Sequence, residues 1–396
     1  MKKKIAVFTS TRADFGLLKP LIQRLIEANK LDVRLFVTGT HLDQDFGSTV
    51  SEIEKEFPNH IFYRVPQPMK EDPKFQNLKI MSQMISKFAE AIINQPVDYA
   101  IVLGDRYESF CFGIVCSSLG IPIIHLHGGE LTLGAIDDKF RHCLTKLSNW
   151  HFVACESYAR RVIQMGEAPA TVFNVGALGV DNALHQKLMS IEELQQSLGF
   201  PFQNFGEIYL FTFHPETNSK DYGAAVLEAF LTQLGARLKK QKALVVMTGV
   251  NSDPGSQKII QQLQKFKFEN APFVFSKESL GLTRYLSVMS MATAVVGNSS
   301  SGILEAFSMK TPTINLGSRQ EGRVRESSVI DLKNESDCAQ FSFEKVVELK
   351  AKLKAGKAEK SVFGDGQTSV LMARQIELIA EEKTISMIKN FFDLPK

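Results

Sequence analysis

Residues 99–130 read YAIVLGDRYESFCFGIVCSSLGIPIIHLHGGE, and the reading of this stretch decides the fold. Residues 99–103 form a short apolar run that stops at Gly104, and residues 121–126 form a second run that stops at the polar HGGE. Apolar runs of that length, bounded by turn residues, read as buried strands. GDRYE and HGGE therefore sit at the C-terminal ends of two strands, the edge of an open parallel sheet where ligands bind. Asp105, Arg106, Glu108, His125, His127 and Glu130 gather there, and Asp137, Asp138, Arg141 and His142 follow closely. With Ala135 onward helical, i,i+4 spacing pairs Asp137 with Arg141 on one face and Asp138 with His142 on the next. Acids in a first helical turn also suit the helix dipole, which is the plain reading of the two aspartates taken singly.

Outward from this stretch, β-branched runs alternate with longer amphipathic segments. Strands are expected at 4–9, 33–38, 61–64, 99–103, 121–126, 151–154 and 171–175, with helical patterns such as 17–28 and 78–94 between them. The rhythm repeats at 208–213, 243–247, 273–276, 294–296 and 313–316. Such alternation implies doubly wound parallel sheets. A chain of 396 residues with 44% apolar content exceeds what one core usually holds, about 250–300 residues, so two domains are expected. The polar, irregular passage 188–206 is the expected linker. The tail at 369–382 is helical in pattern, with Met372, Ile376 and Ile379 forming a stripe that needs a partner.

Composition excludes some classes of partner. The formal charge of +3 is spread along the chain, which argues against nucleic acid or a membrane surface. The basic start leads into an apolar run of only strand length, so no signal peptide is expected. No stretch approaches the ~20 apolar residues of a spanning helix. Five cysteines, at 111, 116, 143, 155 and 338, lack CxxC spacing and read as reduced, mostly buried thiols of a cytoplasmic protein.

Several other strand ends carry unusual chemistry. Residues 9–16, TSTRADFG, combine a turn with Arg12 and suit a phosphate, although a Ser/Thr helix cap explains the turn as well. In TGTH at 38–41, His41 follows a turn, where a lone imidazole is more often on the surface than catalytic. FTFHPE at 211–216 presents His214 at a sheet edge, with Pro215 barring further ladder; a structural histidine is the alternative. In GVNSDPG at 249–255, Asn251 and Asp253 can bond their own backbone. GNSSSGILE at 297–305 follows a strand and opens a helix, so free amides and the hydroxyls of Ser299 and Ser300 converge as an anion cradle. Glu305, one turn into that helix, can hold a ribose diol. GSRQEGRVR at 317–325 adds Arg319, Arg323 and Arg325, which would neutralise a nucleotide diphosphate.

Nine motifs in order carry a resemblance: TRADFG at Thr11, TGTH at Thr38, GDRYE at Gly104, HLHGGE at His125, the DD and RH pair at 137–142, FHPE at Phe213, GNSSSG at Gly297, GSRQEGR at Gly317 and FGDGQTS at Phe363. Together they make the chain similar, nearly end to end, to the hydrolysing UDP-N-acetylglucosamine 2-epimerases that begin sialic-acid and related nonulosonate biosynthesis. The resemblance implies two Rossmann-like domains of the glycosyltransferase-B type with an interdomain cleft for a UDP-sugar. The implied domains are 1–187 for sugar-side catalysis, 188–368 for UDP, and a C-terminal helix in 369–396 returning to the first domain. It also implies a cytoplasmic homodimer.

The reaction implied removes the C2 proton as UDP departs, forming a 2-acetamidoglucal; water then adds at C1 while C2 is reprotonated on the opposite face. That needs acid and base on two faces of a ring and stabilisation of the leaving diphosphate. Neither a cofactor nor a metal is expected, since the glycine turns lack GxGxxG and the imidazoles lack regular ligand spacing. By the resemblance, Asp105 and Asp137 are acid/base groups. A third such position, Glu in relatives reading IEGGE, is His127 here, so either His127 or Glu130 takes the role. Arg12, His214, Ser299, Ser300, Glu305 and Arg319 match UDP-holding positions, with Arg106, Arg141 and His142 nearer the sugar; His41, Asn251 and Arg323 complete the expected substrate contacts. Both UDP-N-acetylglucosamine and UDP-2,4-diacetamido-2,4,6-trideoxyglucose fit as substrate. A non-hydrolysing epimerase, a glycosyltransferase and a non-catalytic nucleotide-sugar sensor are the competing readings.

Overall fold

The apolar runs expected as strands form parallel strands. A computed structural model describes residues 2–43, 49–65, 76–251, 253–356, 360–382 and 388–394. Met1, Ser252 of the GVNSDPG turn and parts of the 369–396 segment thus lie outside the described residues. The first sheet comprises β1 (Lys4–Thr9), β2 (Asp32–Thr38), β3 (Ile61–Val65), β4 (Tyr99–Leu103), β5 (Ile123–Leu126), β6 (Trp150–Val153) and β7 (Val172–Asn174), in the spatial order β3-β2-β1-β4-β5-β6-β7. The second comprises β8 (Ile208–Thr212), β9 (Leu244–Met247), β10 (Val274–Ser276), β11 (Ala294–Gly297), β12 (Thr313–Leu316) and β13 (Val329–Leu332), in the order β10-β9-β8-β11-β12-β13.

Both orders are the doubly wound one, so each sheet has a switch point where successive connections depart to opposite sides. In the first sheet it lies between β1 and β4, and in the second between β8 and β11. Helices cover both faces, so the strands are apolar on both sides. Ile5, Val7, Tyr99 and Ile101 enter one core, while Ala6, Phe8, Ala100 and Val102 enter the core on the opposite face. Tyr209 and Phe211 are divided in the same way from Ile208 and Leu210.

Met1–Glu130, Asp137–Leu178 and Gly366–Lys396 form one compact unit; Leu131–Ile136 and Gly179–Asp365 form the other. The change of unit after β7 falls at Leu178, not in the polar passage 188–206. That passage is ordered: Ser190 and Glu193 close a capping box on the helix Ile191–Leu198, and Leu194 and Phe202 are buried in the second unit. The stripe Met372, Ile376 and Ile379, on the helix Thr368–Glu381, is buried in the core of the first unit. Arg24 Nε donates to Ser369 Oγ at 2.9 Å, and Lys30 bridges Glu377 and Glu381 at 3.0 Å each.

Three boundaries differ from the sequence pattern for local reasons. The first helix begins at Arg12 because Thr11 and Asp14 form a capping box, well before the apolar periodicity starts. β5 begins after Pro122, which has no N–H to donate. β13 was not expected; it is short and mostly half-buried, pairing only with β12.

Candidate active site

In the first unit the groups converge at the C-terminal edge beside the switch point. Arg141, 1% exposed on the helix Asp137–Leu147, donates Nη2 to Asp105 and Nη1 to the Glu130 carbonyl at 3.0 Å. Burial opposes the guanidinium charge, but Asp105, Glu130, Asp138 and Asp137 outweigh it and raise its pKa above the usual value. The expected Asp138–His142 pair forms, at 3.4 Å. Arg141, however, hydrogen bonds Asp138 at 3.4 Å on its own helix; Asp137 acts on it through charge.

His127 has a φ of 64°, unusual for a residue with a Cβ, which re-aims its ring at the end of β5. Its Nδ1 meets Glu130 Oε1 at 2.7 Å. A carboxylate only accepts, so Nδ1–H is the donor, and the tautomer this selects carries its lone pair on Nε2. That Nε2 is buried with no hydrogen-bond partner among the described residues. His125 is different: fully buried, it donates Nε2–H to the Gly104 carbonyl at 2.8 Å and meets Thr145 Oγ1 at 3.3 Å. Burial pushes its pKa down to about 3, so it is a neutral strut beneath Asp105.

Arg106 forks onto the buried Glu108, with both bonds at 3.1 Å. His41 is fully buried rather than on the surface: its Nε2 meets Thr9 Oγ1 at 2.9 Å and its Nδ1 meets Thr49 Oγ1 at 2.6 Å. Burial, aided by the charge of Arg12, lowers its pKa to about 4. The turn after β1 is occupied by a carboxylate of its own chain, since Asp14 accepts from the amides of Ser10 at 3.3 Å and Thr11 at 3.1 Å. Those amides serve the helix cap, as the plain reading had it, and Arg12 pairs with Glu52 at 2.7 Å.

In the second unit the ends of β8 and β11 are joined by Asn298, a residue the sequence reading passed over. Its side-chain amide accepts from His214 N at 2.7 Å and donates to His214 O at 2.8 Å, while its carbonyl takes Arg319 Nη1 at 3.1 Å and Gln320 Nε2 at 2.7 Å. One buried asparagine thus orders His214 and the arginine loop together. Gly297 permits it: with φ at 118°, a Cβ would lie 1.9 Å from the Thr212 carbonyl oxygen. The Asn251 amide donates to His214 Nδ1 at 3.2 Å, which leaves the neutral ring's proton on Nε2.

Glu216, also unremarked in the sequence, is buried and accepts from Ser318 N at 2.8 Å and Ser318 Oγ at 2.7 Å, fixing the loop's start. Of the three expected loop arginines, Arg325 pairs with Asp331 at 3.2 Å and Arg319 with the Asn298 carbonyl at 3.1 Å. The helix after β11 is only Ser300–Leu304, capped by Ser299. Ser301 is taken up by Tyr285 Oη at 2.5 Å and Ser299 Oγ at 3.2 Å. Glu305 follows the helix as its C-cap; burial raises its carboxyl to about 7. The signal for Asn298 and Glu216 was their place inside GNSSSG and FHPE, beside residues that drew the eye for their chemistry.

Comparison with known proteins is decisive at this point, because a family model described as UDP-N-acetylglucosamine 2-epimerase matches residues 23–377. The chain belongs to the UDP-N-acetylglucosamine 2-epimerase family. Among its relatives, the GDP/UDP-N,N'-diacetylbacillosamine 2-epimerase (hydrolyzing) of Campylobacter jejuni is 37% identical over 330 residues, 83% of this chain and 84% of that one. The UDP-N,N'-diacetylbacillosamine 2-epimerase (hydrolyzing) of Legionella pneumophila is 32% identical over 369 residues, 93% of this chain and 94% of that one. The crystal structure of UDP-GlcNAc 2-epimerase from Neisseria meningitidis bound to UDP-GlcNAc superposes with a TM-score of 0.76 at 18% identity, covering 94% of this chain and 99% of that one. This likeness, with two parallel α/β units, makes the epimerase fold here the glycosyltransferase-B type. Among the described residues, no group of three or more His, Cys, Asp or Glu is placed to hold a metal ion.

Proposed function

We propose that the chain is a hydrolysing UDP-sugar 2-epimerase that converts its substrate and water to UDP and a free, manno-configured 2-acetamido sugar. The observation that carries this reading is the Asp105–Arg141–Asp138 set at the edge of the first sheet, in a chain related to enzymes named as hydrolyzing 2-epimerases. Of the two sugars compatible with the motifs, UDP-2,4-diacetamido-2,4,6-trideoxyglucose is favoured, because it is the diacetylbacillosamine nucleotide of those names.

In the first half-reaction a base takes the C2 proton, the C1–O bond to UDP breaks, and the electron pair forms the C1=C2 double bond of the glucal. In the second, a base takes a proton from water as its oxygen adds to C1, and an acid returns a proton to C2 from the other face. Asp105 and Asp137 are the carboxylates assigned to these transfers. His127 takes the place of the relatives' glutamate, with Glu130 holding Nδ1–H so that Nε2 is the exchanging atom, an arrangement that imposes one tautomer. Arg141 pairs with Asp105 and aims it. Arg106 and His142 belong to the sugar side and Arg12 to the UDP side, while His41 acts through Thr9 and Thr49 rather than by an open ring nitrogen. His214, Asn251, Ser299, Ser300, Arg319 and Arg323 hold the nucleotide diphosphate, with Nε2–H of His214 as donor, and Glu305 takes the ribose hydroxyls. The product suits the synthesis of sialic or legionaminic-type acids, in the cytoplasm, where UDP-sugars are made. A homodimer completes the reading and rests on the family resemblance.

The test is incubation of the purified protein with each UDP-sugar in D2O, followed by NMR. Release of UDP and a free 2-epimer bearing deuterium at C2 is the expected result. An epimerised sugar still attached to UDP would instead make the enzyme non-hydrolysing, and an absolute need for an acceptor would make it a transferase.

A further inference from the structure

Near the end of the chain, Lys389 reaches the far end of the helix that carries the candidate catalytic groups. Its Nζ donates to the carbonyls of Thr145 at 3.2 Å, Lys146 at 2.8 Å and Ser148 at 2.6 Å, at and just past the end of Asp137–Leu147, where the Thr145 carbonyl also accepts from Ser148 N at 3.2 Å. A fourth partner is Glu167, 1% exposed, at 2.7 Å. Glu167 also accepts from Lys146 Nζ at 2.7 Å and His151 Nε2 at 2.9 Å. Beside this, the Phe391 ring lies against Gly166, where a Cβ would come within 2.3 Å of it, and Phe392 N donates to Gly166 O at 2.9 Å.

The contacts continue toward the reacting groups. Thr145, whose carbonyl takes Lys389, shares its hydroxyl between Arg141 O at 3.1 Å and His125 Nδ1 at 3.3 Å. His125 then donates to the carbonyl of Gly104, the residue before Asp105. These hydrogen bonds lead from Thr145, which holds Lys389, to the backbone of Arg141 and to that of Gly104, the chain neighbour of Asp105. Apolar packing such as that of Phe391 on Gly166 is enough for an anchor. An ammonium at a helix C-terminus does more, because it matches the helix dipole and ties several carbonyls to one point.

We propose that Lys389 is a positioning residue for the epimerase reaction, fixing the helix Asp137–Leu147 and, through Thr145 and His125, the Asp105–Arg141 pair. The proposal rests on the activity assigned above. The test compares wild type, Lys389→Met and Phe391→Leu by UDP-release kinetics, melting temperature and hydrogen exchange of the helix amides. Lys389→Met should lower kcat by about 10- to 100-fold with KM nearly unchanged, the effect of a slightly misplaced catalytic group. It should also speed exchange within residues 137–147. Phe391→Leu, which keeps the ammonium, should lower the melting temperature while leaving kcat and helix exchange close to wild type. Lys389→Arg, retaining the charge, should recover part of the lost kcat, and it replaces Lys389→Met as the kinetic test if that variant does not fold, then showing a smaller kcat loss at constant KM.

A wild-type kcat in Lys389→Met with only a lower melting temperature would reduce Lys389 to an anchor and overturn the proposal. Equal kcat losses in Lys389→Met and Phe391→Leu would do the same. A wild-type protein that released no UDP from either sugar would overturn the assigned activity instead, while unchanged helix exchange in Lys389→Met would break the structural link whatever the activity.

Discussion

Glu305 keeps its proton up to about pH 7 because burial penalises the anion. Ribose hydroxyls donate to the ionised form, so bound nucleotide lowers this pKa and binding releases a proton. UDP affinity should therefore be full above pH 7 and fall as pH drops through it; calorimetric Kd values from about pH 5.5 to about 8.5 check this, and Glu305→Gln should flatten the curve. The same raised value means that the empty protein loses stability as pH rises from the ordinary carboxylate range toward 7, because the unfolded chain gives up the proton first. Asp105→Asn keeps the shape and an acceptor for Arg141 but removes the base. It should cut kcat by at least about 100-fold while calorimetry finds UDP Kd within a few-fold of wild type.

At the scale of elements, the close approach of β8 and β11 makes a sharp prediction. Gly297→Ala forces a Cβ onto the Thr212 carbonyl at a φ of 118°, and should destabilise the protein by about 2–4 kcal/mol in urea melts. Ile376→Ala, emptying a fully buried place in the first core, should cost about 2–5 kcal/mol by the same measurement. The strands were legible because both faces of each sheet are buried, so runs such as 99–103 carry no polar interruption. β13 was hidden because an edge strand with Asp331 among its four residues has no such run. The passage 188–206 looked irregular because its helix Ile191–Leu198 is only eight residues long and buries Leu194 alone fully, with Ile191 and Leu198 only partly covered by the core. At the site, charged and imidazole residues were visible from type and spacing, but the burial of His41 against Thr9 and Thr49 was not, because it depends on contacts outside its own turn. Asn298 and Glu216 act by orienting other residues, which no spacing rule announces.

At the scale of the molecule, division of labour between two units predicts separable phenotypes. Ser300→Ala and Arg319→Ala should each weaken UDP binding by about 1–2 kcal/mol in calorimetry, the loss of a hydrogen bond or charge contact to phosphate. The second-unit variants should move KM and Kd together, in contrast to the kcat defect of Asp105→Asn. Each unit also has its own sheet with its own switch point, as the two matching strand orders show. Such an architecture lets selection act on one crevice at a time. If the roles proposed above hold, substitutions around β4 and β5 would retune the enzyme for a differently decorated pyranose while the grip on uridine diphosphate is inherited intact, so descent of new sugar specificities within the family need not reinvent nucleotide recognition.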